Sequence, residues 1–112
     1  MEYGKCIAKF VRVRPRKARL VADLMRGKKI AEAGLALDYC GQRAGLHLRK
    51  ALNSAVANAE NQHDVRPEDL SVLEVRVDEG PSMKRAKARS RGSRSPIIKR
   101  SSHLTVVVGT EI

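Results

Sequence analysis

Tryptophan is absent from this chain, and Tyr3, Phe10 and Tyr39 are its only aromatic residues. A base-stacking sheet of the RNP or OB type is therefore not expected, because such surfaces line up several aromatic side chains. Cysteine is nearly absent too. Cys6 and Cys40 are too few and too far apart for a disulfide scaffold or a four-ligand zinc site, and are expected as buried, reduced thiols. No run of about 18 apolar residues occurs, which excludes a transmembrane helix. Met1 to Lys5 lacks the charged-then-apolar pattern of a signal peptide, so the expected location is cytoplasmic.

Catalytic constellations are also missing. His47, His63 and His103 have no metal-ligand spacing, and Arg91-Gly92-Ser93 holds one glycine where a phosphate-cradling loop needs several. Glu68, Asp69, Asp78 and Glu79 suit turns and helix caps better than a catalytic pair. No enzyme, metal, cofactor or small-molecule substrate is expected from these residues.

Acidic side chains are the scarcest class relative to their opposites. Twelve Asp+Glu stand against 23 Lys+Arg in 112 residues, a net charge of +11, and 42% hydrophobic content supports one small core. A protein of 12.4 kDa and pI near 10.4 repels itself at neutral pH until a polyanion neutralises it. The charge is segregated: residues 1–29 carry a net +8, residues 30–79 a net −4 and residues 80–112 a net +7. Such asymmetry points to a defined binding surface rather than to solubility alone.

Hydrophobic periodicity predicts the elements. Tyr3 to Val13 alternates as a strand, with Cys6, Ala8 and Phe10 on one side and Lys5, Ile7, Lys9 and Val11 on the other. Pro15 suits the first position of a helix whose stripe is Lys17, Leu20, Val21, Leu24 and Met25, stopped by Gly27. A second helix runs from Ile30 to about Tyr39. The third, from about Arg43 to Asn61, has an unbroken stripe of Leu48, Ala51, Leu52, Ala55, Val56 and Ala59. Leu70 to Asp78 alternates, with Leu73, Val75 and Val77 facing one way. Leu104 to Val108 is apolar and β-branched, as a central strand would be. The order β-α-α-α-β-β predicts an α+β fold, a three-stranded antiparallel sheet packed against three helices.

Gly80 to Ser102 stands apart. Its 23 residues carry eight basic side chains and no acid, and its apolar content is too thin to fold against a core. Because two strands that pair antiparallel flank it, the expected form is a long, protruding basic β-hairpin with Arg91-Gly92-Ser93 near its tip, reaching on the order of 35 Å from the body. The body is then 1–79 and 103–112 of a single domain. Arginine outnumbers lysine near the tip, which favours bidentate phosphate contacts and stacking on bases. Arg12, Arg14, Arg16, Arg19 and Arg26 add a cationic face on and before the first helix, balanced only by Asp23. The cationic hairpin has no continuous apolar face, so a membrane partner is not expected. Composition alone leaves two nucleic-acid readings open, shape-specific docking on folded RNA and a non-specific architectural binder.

Four stretches decide between them. Lys17-Ala18-Arg19-Leu20-Val21-Ala22-Asp23-Leu24-Met25-Arg26-Gly27-Lys28, Ser54-Ala55-Val56-Ala57-Asn58-Ala59-Glu60, Val77-Asp78-Glu79-Gly80-Pro81-Ser82-Met83-Lys84-Arg85 and Lys99-Arg100-Ser101-Ser102-His103-Leu104-Thr105-Val106-Val107-Val108 together span the chain. The chain resembles the bacterial-type large ribosomal subunit protein 22 family. The resemblance implies a non-enzymatic structural constituent of the large subunit that binds several domains of its rRNA and supports assembly. It implies a body near the exit of the nascent-peptide tunnel, beside neighbouring large-subunit proteins, and a hairpin tip that lines the tunnel and meets the nascent peptide. The rRNA-binding set becomes Arg12, Arg14, Arg16, Lys17, Arg19, Arg26, Lys28, Lys29, Lys84, Arg85, Lys87, Arg89, Arg91, Arg94, Lys99, Arg100 and His103. The tunnel-lining tip would be Ala88, Arg89, Ser90, Arg91, Gly92, Ser93, Arg94 and Ser95, near where macrolides bind in the family. Two departures stand out. Arg14 occupies the place of a common N-cap serine, and Ala86, Lys87 and Ala88 replace bulkier apolar residues and a proline.

Overall fold

The computed structural model describes residues 2–88, Gly92 and residues 94–110. Strand β1 spans Glu2–Val11, helix α1 Pro15–Asp23, α2 Ile30–Tyr39 and α3 Arg43–His63; β2 spans Ser71–Glu79, β3 Met83–Ala88, β4 Arg94–Lys99 and β5 Ser102–Gly109. A short 3-10 turn, Pro67–Asp69, precedes β2. Strands β1, β5 and β2 form an antiparallel sheet in that order, and β3 pairs with β4 in a separate ladder. The fold is α+β, as expected.

β5 is central because it is apolar throughout. Leu104, Val106 and Val108 join the core beneath the helices, while Thr105 and Val107 are buried on the opposite face. There Thr105 sits in register between Ile7 and Arg76, and Val107 between Lys5 and Glu74. Stems of long neighbouring side chains can cover such small residues without a second layer.

The alanines of α3 explain how the helix seats. Leu48, Ala51, Leu52, Ala55 and Ala59 are buried, and a Cβ added at Gly4 of β1 would lie 2.2 Å from the Ala55 carbonyl oxygen. Helix and strand therefore touch backbone to backbone there, which only glycine permits. The helix extends two residues past the expected end, to His63. It stops at Asp64, whose left-handed φ of 56° lets its N–H reach the Glu60 carbonyl.

Three patterns differ from the alternation expected, two of them through bulges. In β1, Lys9 and Phe10 together oppose the single residue His103, so the strand changes face. Cys6, Ala8 and Val11 pack against the core, whereas Phe10 is exposed, the reverse of the expected placement of Phe10 and Val11. In β2 an extra residue at Leu73 breaks the register, and Val72 takes the core position expected of Leu73. In α1 the buried side chains are Pro15, Ala18, Val21 and Ala22; Leu20 and Leu24 are exposed, and the helix ends at Asp23 rather than running to Gly27. A nine-residue helix at the sheet margin buries a narrower stripe than its leucines suggest.

The radius of gyration is 16.9 Å, against about 13 Å for a compact chain of this length, and the molecule measures 62 × 25 × 19 Å. The β3–β4 ladder accounts for the length. Its junction is a one-residue bulge: between Glu79↔Ser102 and Met83↔Lys99, the first arm carries one residue more than the second. Gly80 N–H still donates to the Ser101 carbonyl at 3.0 Å, and Ser101 Oγ–H donates to the Pro81 carbonyl at 2.6 Å. A side chain at Gly80 would meet Ser101 Oγ at 2.7 Å and the His103 ring at 3.3 Å.

Candidate nucleic-acid interface

The expected cations separate into three groups. Arg19 and Arg26 are turned inward to the free edge of β2. Arg26 donates from Nε at 3.2 Å and from Nη2 at 2.8 Å to the Val75 carbonyl, and pairs through Nη1 with Asp23. Arg19 Nε–H donates to the Val77 carbonyl at 3.2 Å. Upstream on the same edge, Lys28 and Lys29 lie in an extended turn. Gly27 N–H reaches the Val72 carbonyl, Val72 N–H the Lys28 carbonyl and Ile30 N–H the Leu70 carbonyl. An unpaired edge is a liability, and these four basic positions help to close it while Lys28 and Lys29 keep their ammonium groups exposed.

The second group belongs to the hairpin. Lys84, Lys99 and Arg100 are exposed. The ladder runs through Ala88↔Arg94, so Ala88, Arg94 and Ser95, expected in the tip, lie in its arms. Gly92 has a left-handed φ of 75°, as a tight reversal requires. Arg89, Ser90, Arg91 and Ser93 lie outside the described residues, and of Arg85, Lys87, Arg94 and Ser95 the backbone alone is described.

The third group meets in one cleft of about 900 Å³ where the hairpin leaves the body. Arg12 and Arg14 come from the connection between β1 and α1, Lys17 from the first turn of α1, Lys99 and Arg100 from the returning arm, and Arg43 from the start of α3. Among the described residues no acid lines this cleft, and none of the six cations is in an ion pair. Arg14 and Gln42 hold the N-cap positions of α1 and α3; neither supplies a side-chain cap, and neither helix has an acid in its first turn. Both N-termini thus add partial positive charge to the same space. Arg16 is exposed on the adjoining surface of α1. Arginine at the N-cap left α1 starting at Pro15 as expected, since Pro at that position supplies a preset φ.

Arg43, Gln42 and Phe10 were not among the residues expected at the interface. Arg43 lies in the acidic middle third of the sequence, and only the shared cleft brings the start of α3 beside the hairpin base. His103 holds the base from beneath. Its Nδ1 accepts from the Phe10 N–H at 3.1 Å, which places its proton on Nε2, and its ring meets Phe10 edge to face at 5.0 Å. Under the neighbouring body, Ser102 is fully buried and its Oγ–H donates to the Val13 carbonyl at 2.7 Å.

Little else could support chemistry. Among the described residues no group of three His, Cys, Asp or Glu could hold a metal, and no buried side-chain polar atom lacks a partner. Cys6 and Cys40 are unpaired and half-buried rather than buried, the latter with its Sγ–H directed to the Leu37 carbonyl at 3.1 Å. Among the described residues, no helix is long and apolar enough to cross a membrane. His47, on α3, has its pKa lowered by burial and by the charges of Arg43 and Lys50.

Comparison with known proteins agrees with the cationic geometry. A family model described as ribosomal protein L22p/L17e matches residues 6–109. The chain is 56% identical over 108 residues to the large ribosomal subunit protein uL22 of Protochlamydia amoebophila, covering 96% of this chain and 97% of that one. It is 57% identical over 105 residues to the uL22 protein of Chlamydia pneumoniae and 54% identical over 105 residues to that of Chlamydia trachomatis serovar L2; each match covers 94% of this chain and 95% of the relative.

Proposed function

The chain belongs to the ribosomal protein L22p/L17e family and is a component of the large ribosomal subunit, and on that premise we propose that it holds large-subunit rRNA along one continuous cationic surface. That surface runs from the cleft at the hairpin base, through Lys99, Arg100 and Lys84, along the arms. The body stays at the RNA surface and the hairpin inserts between RNA domains, with its far end, the tip together with Ala88, Arg94 and Ser95 at the ends of the arms, forming part of the exit-tunnel wall and meeting the nascent peptide. Neighbouring large-subunit proteins complete its contacts. The role is structural, in assembly and in shaping the tunnel, without catalysis.

One observation carries this reading: the segment from Gly80 to Ser102, with eight basic and no acidic residues, leaves the body at a cleft where four further cations, Arg12, Arg14, Lys17 and Arg43, join its Lys99 and Arg100, none of the six in an ion pair. A surface of this length suits a polyanion with fixed shape, because phosphate contacts along two geometrically distinct parts must be met at once. The test is co-sedimentation of the tagged protein with ribosomal particles through a high-salt wash. Retention on the large subunit at about 0.5–1 M salt is expected, since simple counterion-release binding falls by orders of magnitude there. Release into the soluble fraction, or spread over all nucleic acid, would instead mark a non-specific architectural binder.

A further inference from the structure

We propose that the cleft at the base of the hairpin seats one unpaired nucleotide of the rRNA, its base stacked on the Phe10 ring and its flanking phosphates held by Arg12, Arg14 and Arg100. The inference rests on the rRNA-binding reading and adds to it a specific subsite for single-stranded RNA.

Phe10 is the observation that carries it. Its φ of 59° is left-handed, and among the described residues the only other non-glycine residue with positive φ is Asp64, which closes α3. Asp tolerates that conformation; a bulky aromatic residue does so only when the surroundings impose it, at a cost of order 1–3 kcal/mol. Two features impose it here, the bulge of Lys9 and Phe10 opposite His103 and the bond from Phe10 N–H to His103 Nδ1. Their effect is to lift the ring off the core side of β1 and hold it 63% exposed in the cleft. A chain with three aromatic residues thus commits strain to presenting one of them.

The surroundings suit an unstacked nucleotide. The volume falls within the range of ligand-sized clefts, about 300–1,000 Å³. Met83 and Ile98 supply an apolar wall on the hairpin side, and the cations supply phosphate contacts. A duplex would bring phosphates but keep its bases stacked on one another, leaving the aromatic face unused; an unstacked base uses both. Aliphatic peptide or lipid would use the apolar wall and leave the six unpaired cations desolvated.

Because the sequence contains no tryptophan, Phe10→Trp makes the full chain its own reporter. Bound to protein-free large-subunit rRNA, the introduced indole should be quenched and shielded severalfold from acrylamide. Phe10→Ala and Phe10→Leu should each weaken binding to that rRNA about tenfold, without changing the salt slope, because no charge is lost; Phe10→Trp should bind as the parent does. Matching far-UV circular dichroism and melting curves separate these effects from misfolding. An indole that stays fully accessible in a saturated complex, or a Phe10→Leu protein that binds as tightly as the parent, overturns the stacking subsite and leaves the rRNA reading standing. A parent protein that binds random duplex RNA as tightly as the rRNA overturns both.

Discussion

In the body, β5 has a strand on each side, and its Leu104, Val106 and Val108 lie under three helices. In the hairpin, β3 and β4 have only each other, and among the described residues none between 80 and 101 belongs to the core cluster. The same backbone pairing therefore stands on different foundations. Body strands are held by side-chain burial, about 1.5–3 kcal/mol for each fully buried Val or Leu. Hairpin strands are held by backbone bonds and turn geometry, and an isolated two-stranded ladder is marginal in water. The body thus supplies stability with fifteen basic residues nearly balanced by twelve acidic ones, and the hairpin supplies eight basic residues and no acid with little stability of its own. On the proposed function, rRNA supplies the other half of the hairpin's energetics, since neutralising its charges would relieve repulsion and fix its shape.

Excising the hairpin breaks this comparison most sharply. Gly80 and Ser101 face one another across the sheet, with the N–H of the first on the carbonyl of the second. Replacing residues 81–100 with Asn-Gly should close β2 onto β5 through a two-residue turn. The expected product folds cooperatively with a Tm close to that of the parent, yet its affinity for large-subunit rRNA falls on the order of a thousandfold, the scale of losing most of eight phosphate-neutralising cations. Thermal melts and filter binding read the two quantities separately. A shortened protein that fails to fold would show that the hairpin carries structure the core does not; unchanged affinity would move the RNA surface onto the body.

A pair of arginines sharpens the comparison at single-residue scale. Arg26→Ala removes the donors that cover the Val75 carbonyl on the edge of β2. It should cost about 1 kcal/mol, roughly 5 °C in Tm, while leaving the salt dependence of rRNA binding near that of the parent. Arg100→Ala, in the cleft, should do the opposite, flattening the salt slope by about one phosphate and leaving Tm unchanged. If both substitutions change the slope equally, Arg26 exchanges its carbonyl partners for phosphate on binding, and the division between edge-closing and RNA-holding arginines fails.

That division marks where sequence reasoning reached its limit. Elements with long, unambiguous periodicity were legible: the stripe of α3 from Leu48 to Ala59, the apolar centre of β5, and the acid-free hairpin between two strands that pair. What was hidden depended on insertions of one residue. The bulges at Phe10 and Leu73 reverse which side chains face the core, and a period of two shows no sign of them when both neighbouring residues are apolar. The cationic residues were all visible as charge, but charge does not say where a guanidinium finds its acceptor. Arg19 and Arg26 look no different in sequence from Arg12 and Arg14, yet one pair closes a strand edge and the other opens onto a cleft. Arg43 was hidden by the opposite effect, a basic residue in an acidic third of the chain, brought to the interface by the start of α3.

The smallest expected effect tests whether acid acts on the two regions unequally. Between Gly80 and Ser102 every charged residue is Lys or Arg, with no histidine and no acid. The body contains His47, half-buried on α3, whose pKa lies below its ordinary value of 6.5 because of burial first and then Arg43 and Lys50. The lowered folded-state pKa fixes the sign. Above 6.5 the histidine is mostly neutral in both folded and unfolded chains and contributes no pH dependence. As the pH falls below 6.5, the unfolded chain takes up a proton that the folded chain resists, so stability decreases until the folded pKa is passed. His47→Gln should remove this contribution, giving a Tm difference from the parent that is flat above about pH 7 and grows in favour of the variant as the pH falls toward 5. Parallel melting curves for the two proteins across that range would place the acid sensitivity of the body elsewhere. If the loss instead follows the hairpin, and disappears with residues 81–100 rather than with His47, the ladder is coupled to the body more tightly than its absence from the core implies.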